Sequence, residues 1–309
     1  MSDEGDYSFN KGQMVAKRID LLSEVDIIYK KSFGARVSGT AWYDGAYGST
    51  SHSNPNAPLN GIPSYVGNTY SSYEQRLYRG GSGELLDAFV FGRFDLGDAP
   101  ATVKLGRHTL YWGESLFLGG NINGIAYAQN PLDLQKGFAT PGVEAKELFR
   151  PLNQISGQIS VTDTLTLGAQ YFLEWESFRY PEGGTYLGPV DFAFNGPDRQ
   201  FISAGLGFAA RGNPSEPKQS GDWGLSARWS PAWLDGTMGF YFRDFSDKLP
   251  QTLIAKAAPG ASQYNLIYAD HIKLFGVSLA KSVASPRTTP SRRRTPSVSS
   301  ATSTARWPP

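Results

Sequence analysis

The chain of 309 residues has no cysteine and no run of about 18 apolar residues. Without cysteine it has no disulfide framework, no thiolate metal site and no cysteine nucleophile. Without a long apolar run it has no helical membrane span, because such a helix needs about 20 predominantly apolar residues. A strand shows only every second residue to lipid, so these absences do not exclude a membrane protein built from strands.

Signatures of catalysis and metal binding are also scarce. The sequence holds three histidines, His52, His108 and His271, and neither a G-x-S-x-G nor an H-E-x-x-H motif. A Ser/His/acid set assembled across strands stays an alternative, and it would require a serine hydroxyl within hydrogen-bond distance of a histidine. We interpret His108 as a hydrogen-bonded interior residue. The sequence therefore predicts no catalytic residue, no metal site and no cofactor.

The positive charge is concentrated at the end of the chain. The formal net charge is +1, but residues 283–309 hold five arginines and no acid, so the rest of the chain is mildly acidic. That balance argues against a nucleic-acid surface on the body of the chain. Rich in Ser, Thr, Pro and Arg, this tail cannot bury enough apolar surface to order itself. It is either a natural disordered tail or the product of a reading-frame slip, and we favour the slip.

About ten segments alternate between apolar and polar residues with the period of two that marks a strand. In the first, Ile19, Leu21 and Val25 fall on one face and Asp20 and Glu24 on the other. Several segments approach the roughly 9–11 residues that a tilted strand needs to cross a bilayer. We assign strands to residues 18–31, 35–47, 85–96, 101–112, 154–161, 164–176, 223–229, 238–243, 263–268 and 272–281.

The connections between these strands alternate in length. Each odd strand is followed by a short turn and each even strand by a long loop, as in barrels with tight turns at one rim and long loops at the other. A soluble β-sandwich is the alternative. We count Gly80-Gly81-Ser82-Gly83 as a loop, and we expect a short helix that begins near Thr140, with Pro141 early and acids in its first turn. The fold predicted is all-β: a partial, open antiparallel transmembrane β-barrel of about ten strands with one short helix in a long loop.

Charged residues of both signs fall on the face that turns inward in such a barrel, where they would line a polar interior. The predicted pore-lining residues are Asp20, Glu24, Asp26, Lys30, Arg36, Asp44, Asp87, Arg93, Asp95, Lys104, Glu174, Glu176, Arg228 and Arg243.

Short motifs in consistent order resemble the family called domain of unknown function 1302, over roughly residues 7–281. They are Tyr7-Ser8-Phe9-Asn10-Lys11-Gly12, residues 18–24, Val37-Ser38-Gly39-Thr40-Ala41-Trp42-Tyr43-Asp44, Tyr111-Trp112-Gly113-Glu114-Ser115, Asn130-Pro131-Leu132-Asp133, Pro141-Gly142 and Lys146-Glu147-Leu148. The resemblance implies an outer-membrane barrel, longer than this chain, from bacteria that degrade hydrophobic and aromatic compounds. The start shows no export signal, so the resemblance implies a truncated member that lacks the signal and first strands and ends before the closing strands. The composition of the tail favours a frameshifted one.

These observations predict residues 1–282 as an outer-membrane β-barrel fragment and 283–309 as a disordered tail. The function predicted is a channel in the bacterial outer membrane for passive uptake of small solutes, and the resemblance suggests hydrophobic or aromatic ones. Its partners would be membrane lipid and the solutes, with no nucleic acid. The alternatives are a barrel that scaffolds a periplasmic or surface partner without transport, and an outer-membrane esterase. The two edges of the open sheet are predicted to be the first and last strands.

Overall fold

The structure is a computed structural model that describes residues 9–47, 72–113, 124–140, 142–182, 185–186, 188, 198–203, 205–256, 258 and 261–281. Within them the chain is all-β, with three short helices, as the alternating pattern predicts. The helices are α1 (Ser72–Tyr78), α2 (Leu134–Ala139) and α3 (Ala145–Leu148). The strands are β1 (Arg18–Tyr29), β2 (Phe33–Asp44), β3 (Gly80–Leu96), β4 (Ala99–His108), β5 (Leu152–Thr162), β6 (Leu165–Phe172), β7 (Arg199–Ser203), β8 (Gly207–Arg211), β9 (Trp223–Trp229), β10 (Gly236–Phe245), β11 (Gln251–Lys256), β12 (Ser262–Ile267) and β13 (Ile272–Lys281). The predicted disordered tail, 283–309, lies outside the described residues.

Nine strands form one large sheet, in the order β1-β2-β3-β4-β5-β6-β9-β10-β13, and every neighbouring pair is antiparallel. Because the direction reverses at each step, the turns after β1, β3, β5 and β9 lie at one end of the sheet, the short-turn end. The connections after β2, β4, β6 and β10 lie at the other, the long-loop end. The predicted alternation of short and long connections is therefore confirmed for this sheet, although residues 48–71, 114–123 and 189–197 of the long connections lie outside the described residues.

Two details of the strand assignment made from the sequence are wrong. The segment at 263–268 does not join the large sheet: as β12 it lies in a separate four-stranded sheet, β11-β12-β8-β7, inserted in the long connections. Gly80-Gly81-Ser82-Gly83 is no loop but the first part of β3, paired with the end of β2. Glycine lowers strand propensity, but here β2 supplies the backbone partners that hold this stretch extended.

The single helix expected near Thr140 is two helices instead. α2 ends at Ala139, and Thr140 is the residue that caps it. α3 follows at 145–148, and Pro141 lies outside the described residues. The N-terminus of α2 is capped by Asp133, whose side chain accepts a hydrogen bond from the Lys136 N–H. α1 was not predicted, because it lies in a stretch without a sustained period.

The large sheet curls around one segment, residues 124–140 and 142–150, which lies in the connection between β4 and β5. Near the start of this segment Ile125 packs so closely on β13 that a Cβ added to Gly276 would lie 2.5 Å from its Cγ1. Towards its end, Lys146 Nζ lies 3.2 Å from the Glu24 carboxylate on β1. One segment thus borders both outermost strands, which a flat sheet nine strands wide would hold roughly 38 Å apart at about 4.8 Å per strand. Each outermost strand is paired on one side only among the described residues, which confirms the predicted open edges.

The two faces of the curled sheet have the reverse of the polarity usual in a water-soluble protein. The outward face is apolar and exposed, as at Ile19 (76% exposed) and Phe275 (79%). The inward face buries polar side chains, among them Thr40, Gln154 and Gln170. Soluble proteins rarely expose such wide apolar surface, and they bury polar groups only with partners. Among the described residues, no helix is long and apolar enough to cross a membrane.

Candidate functional site: a polar interior around an inserted segment

The strand pairing places eleven of the predicted pore-lining residues on the inward face of the large sheet. Asp20 pairs opposite Trp42, Asp26 opposite Arg36, and Arg228 opposite Gly239, so that face continues from strand to strand. A register shift between β2 and β3 keeps Asp87 on this face as well. The eleven are Asp20, Glu24, Asp26, Arg36, Asp44, Asp87, Arg93, Asp95, Lys104, Arg228 and Arg243. Their role in lining a pore stays a prediction.

Three of the predicted residues lie elsewhere. Lys30 lies in the turn after β1 with φ 47, because that strand ends at Tyr29. Glu174 and Glu176 follow β6, which ends at Phe172 rather than at 176. Apolar and acidic residues still alternate beyond Phe172, but the strand ends there, and both carboxylates form ion pairs with Arg107 at the long-loop end.

The interior segment, residues 124–140 and 142–150, lies against the inward face. An antiparallel bridge between Leu132 and Phe149 closes the part of the segment that carries both helices, and Asp133 bridges to Arg179 in the connection after β6. Side-chain hydrogen bonds fix it to the wall: Gln129 Nε2 donates to Gln170 Oε1 on β6 at 2.7 Å. The long connection after β4 therefore fills part of the interior rather than extending away from the sheet.

A buried ion pair holds the two helices of the interior segment to β2. Lys136 Nζ on α2 lies 2.6 Å from Glu147 Oε1 on α3, and both side chains are nearly inaccessible. The Thr40 hydroxyl on β2 donates to the same carboxylate oxygen at 2.8 Å. Lys136 also lies 5.2 Å from the centre of the Trp42 ring. Removing one charge would leave the other buried without its counter-charge.

A second group of charges closes the long-loop end. Glu84 on β3 accepts from Arg179 at 2.7 Å and from Arg150 at 3.3 Å, and Arg179 also reaches Asp133 at 3.0 Å. Burial alone would raise the pKa of the Glu176 carboxyl, but Arg150 and Arg107 hold it below its usual value. The members of this rim cluster are Arg76, Glu84, Arg107, Asp133, Arg150, Glu174, Glu176 and Arg179.

On the opposite side, Arg243 of β10 holds the start of the interior segment. Its Nη1 donates to the carbonyl oxygens of Ile125 at 3.1 Å and Tyr127 at 2.5 Å. The guanidinium lies over the Phe245 ring at 4.3 Å, and its Nε and Nη2 have no hydrogen-bond partner among the described residues. The Tyr127 hydroxyl in turn donates to Asp247 at 2.8 Å.

α1 contributes a fully buried carboxyl to the packing beside α2. Glu74 Oε1 accepts from the Glu182 backbone N–H at 2.5 Å and from Gln135 Nε2 at 3.0 Å. Burial raises the pKa of Glu74 well above its usual value, and the nearby acids add to that shift. The side chain therefore favours its neutral form.

A serine and a histidine meet on the inward face of β4 and β5. His108 Nε2 lies 2.7 Å from Ser156 Oγ, and Nδ1 lies 3.0 Å from the Gly106 carbonyl oxygen. A carbonyl only accepts, so the neutral ring carries its proton on Nδ1 and Ser156 donates to Nε2. Gly106 has φ +121, and a Cβ there would collide with the backbone of β3, so glycine is required to place this carbonyl.

The large sheet also forms a cavity of about 140 Å³. It is lined by residues of β4, β5, β6 and β9 and by Leu110 and Trp112, which follow β4. Trp112 can pack there because Gly224 has no side chain: a Cβ at that position would lie 2.8 Å from the Trp112 ring. Four residues with hydroxyl groups, Thr102, Ser156, Thr166 and Ser226, are among its lining, and Lys104 is the charged residue that lines it.

Sequence reasoning missed the residues that hold the interior segment. Lys136, Glu147, Arg150 and Arg179 lie in connections without periodicity, where a pattern of alternation carries no signal. Two stretches quoted for the family resemblance are local signals: Asn130–Asp133, which leads into the α2 cap, and Lys146-Glu147-Leu148, which contains Glu147. No group of three or more His, Asp or Glu side chains in the described part of the chain has the geometry to hold a metal ion.

The fold and its interior define an all-β protein, whose curled antiparallel sheet has an apolar exterior, a polar interior and an inserted segment. The family model described as Protein of unknown function (DUF1302) matches residues 1–292. The chain belongs to this family, as the short motifs in the sequence indicate. No curated protein and no solved structure gives a significant match.

Proposed function

We propose that this protein is part of the wall of a bacterial outer-membrane channel through which small solutes pass, with the interior segment controlling the passage. The observation that carries the proposal is the reversed polarity of the sheet. An apolar face this exposed is stable against lipid, whereas the charged inward face is stable against water or an inserted segment. The hydrophobic or aromatic class of the solute rests on the family resemblance.

The interior segment supports a controlled passage rather than a wide water-filled pore. It is attached at opposite sides of the curled sheet, through Glu147 to β2 and through Tyr127 to β10. The ion pair and the hydrogen bonds at these attachments can each be weakened by a single substitution.

Swelling of proteoliposomes tests this proposal. The protein reconstituted in liposomes should admit small aromatic solutes, and Lys136→Met, which releases the interior segment from β2, should increase the swelling rate. Lys146→Met is the matched control, because Lys146 makes only exposed ion pairs with Glu24 and Glu144. Swelling no faster than that of empty liposomes for every variant would contradict transport and favour the scaffold alternative.

A second candidate function is hydrolysis of an ester, because Ser156 and His108 satisfy the distance that this alternative requires. In that chemistry Nε2 would accept the serine proton as Oγ attacks the ester carbonyl and would return it to the departing alcohol. Water would then hydrolyse the acyl-serine and release the acid. Nδ1 faces a backbone carbonyl instead of a carboxylate, so the dyad has no acid to stabilise a charged imidazole. A fluorophosphonate probe that labels the native chain but not Ser156→Ala would support hydrolysis, and no labelling would exclude it.

A further inference from the structure

We infer that the cavity beside Trp112 is a binding site for a small carboxylate with a compact apolar body. This inference names a solute class for the proposed channel and in that sense rests on it, but the binding itself does not require transport. The carboxylate would pair with Lys104, and its apolar body would lie against Leu110 and Trp112.

Lys104 is the reason for a negatively charged ligand. Its side chain lines the cavity from β4, and among the described residues no carboxylate lies within the 4.0 Å of an ion pair. Asp87 attracts the ammonium, and Arg36 and Arg93 repel it. The ammonium also lies 5.2 Å from the centre of the Phe89 ring. Asp87 is already engaged by the Ser38 hydroxyl at 3.2 Å. The field at this ammonium is therefore incompletely compensated, and an anion would compensate it.

The uncharged lining suits a carboxylate as well. Thr102, Thr166 and Ser226 bring hydroxyl groups from three strands of the large sheet to one cavity, whereas the Ser156 hydroxyl already donates to His108. Hydroxyls can donate to carboxylate oxygens, and hydrogen bonds to a charged acceptor are roughly twice as strong as those between neutral groups. Because such donors rotate, they adapt to either oxygen of the ligand without a change of the wall.

The volume of the cavity and the side chains that line it limit the size of the ligand. At about 140 Å³ the cavity is close to the roughly 150 Å³ that holds a benzene ring in an engineered protein core. Gly168 keeps its floor clear, because a Cβ there would lie 2.5 Å from the Ser226 Oγ. The aromatic ring of Trp112 lines the cavity, so a ring or a short branched chain bearing one carboxylate fits the space.

Benzoate and benzamide form the test pair, because they differ in charge and little in shape. Binding to the detergent-solubilised full chain is measured by a ligand-observed NMR titration. Benzoate should bind saturably and at least about tenfold more tightly than benzamide, which corresponds to about 1.4 kcal/mol. Equal affinities, or no saturable binding of benzoate, would overturn the inference without any variant.

Substitutions then locate the site. Lys104→Gln should weaken benzoate at least about tenfold, and Lys104→Arg, which keeps the charge, should retain most of the affinity. Lys273→Gln is the matched control, since Lys273 lies exposed on β13 and does not line the cavity. An equal loss in both glutamine variants would overturn the assignment to Lys104. Liposome swelling is scored separately, so benzoate binding without swelling would contradict the channel and leave the site intact.

Discussion

Lys136→Met tests the buried ion pair that holds the interior segment to β2. Both partners are almost inaccessible and 2.6 Å apart, so the substitution leaves the Glu147 carboxylate buried with the Thr40 hydroxyl as its remaining partner. Breaking a buried pair by removing one partner costs about 3–5 kcal/mol, because an uncompensated charge stays in the interior. We expect a loss of that size in the free energy of unfolding.

Urea unfolding of the refolded protein in detergent micelles, followed by tryptophan fluorescence, measures this loss. The double variant Lys136→Met/Glu147→Gln removes both charges and should recover at least about 1 kcal/mol of it, which a double-mutant cycle detects. Lys146→Met in the adjacent helix should change stability far less, because its partners are exposed. A Lys136→Met variant no less stable than Lys146→Met would refute the reasoning.

Three further predictions concern other parts of the fold. Glu74 binds its proton more tightly in the folded than in the unfolded chain, so its own contribution to stability should be lost as pH rises above about 4.5, and Glu74→Gln should remove that part of the slope in unfolding measured against pH. Gly106→Ala forces a side chain onto a backbone with φ +121 and should destabilise the protein by about 1–3 kcal/mol, whereas Gly157→Ala, whose Cβ would make ordinary contacts, is the control; equal midpoints in urea would contradict this. Leu167→Arg places a charge on the outward face of β6 and should cost about 2–4 kcal/mol of folding into lipid vesicles, while Gln158→Arg on the inward face should cost much less; similar losses would argue against lipid at the outward face.

Most strands of the large sheet could be predicted from the sequence. In β5 and β6, Ile155 and Leu167 alternate with Gln158 and Gln170 without interruption, so both the strands and their inward faces follow from the period of two. Periodicity did not place β12 in the correct sheet. Its alternating Ser262, Tyr264 and Leu266 are all buried, but β12 pairs within the four-stranded sheet, because local alternation does not specify a pairing partner.

The interior could not be predicted from periodicity. Glu84 lies in a stretch that reads as a glycine-rich loop, and its partners Arg150 and Arg179 follow it by 66 and 95 residues. The proximity of Ser156 to His108 depends on β4 and β5 pairing in one register across a connection of more than 40 residues. Contacts of this kind are set by tertiary structure, and a single sequence carries no local signal for them.

Accessibility of spin labels along β5 and β6 tests most directly whether lipid covers the outward face. The chain contains no cysteine, so single cysteines can be introduced and labelled without background. In lipid bilayers, labels at Ile159 and Leu167 should be accessible to oxygen, which concentrates in lipid, and labels at Gln158 and Thr166 to a water-soluble nickel complex. Equal accessibility of all four positions to the nickel complex would contradict the account.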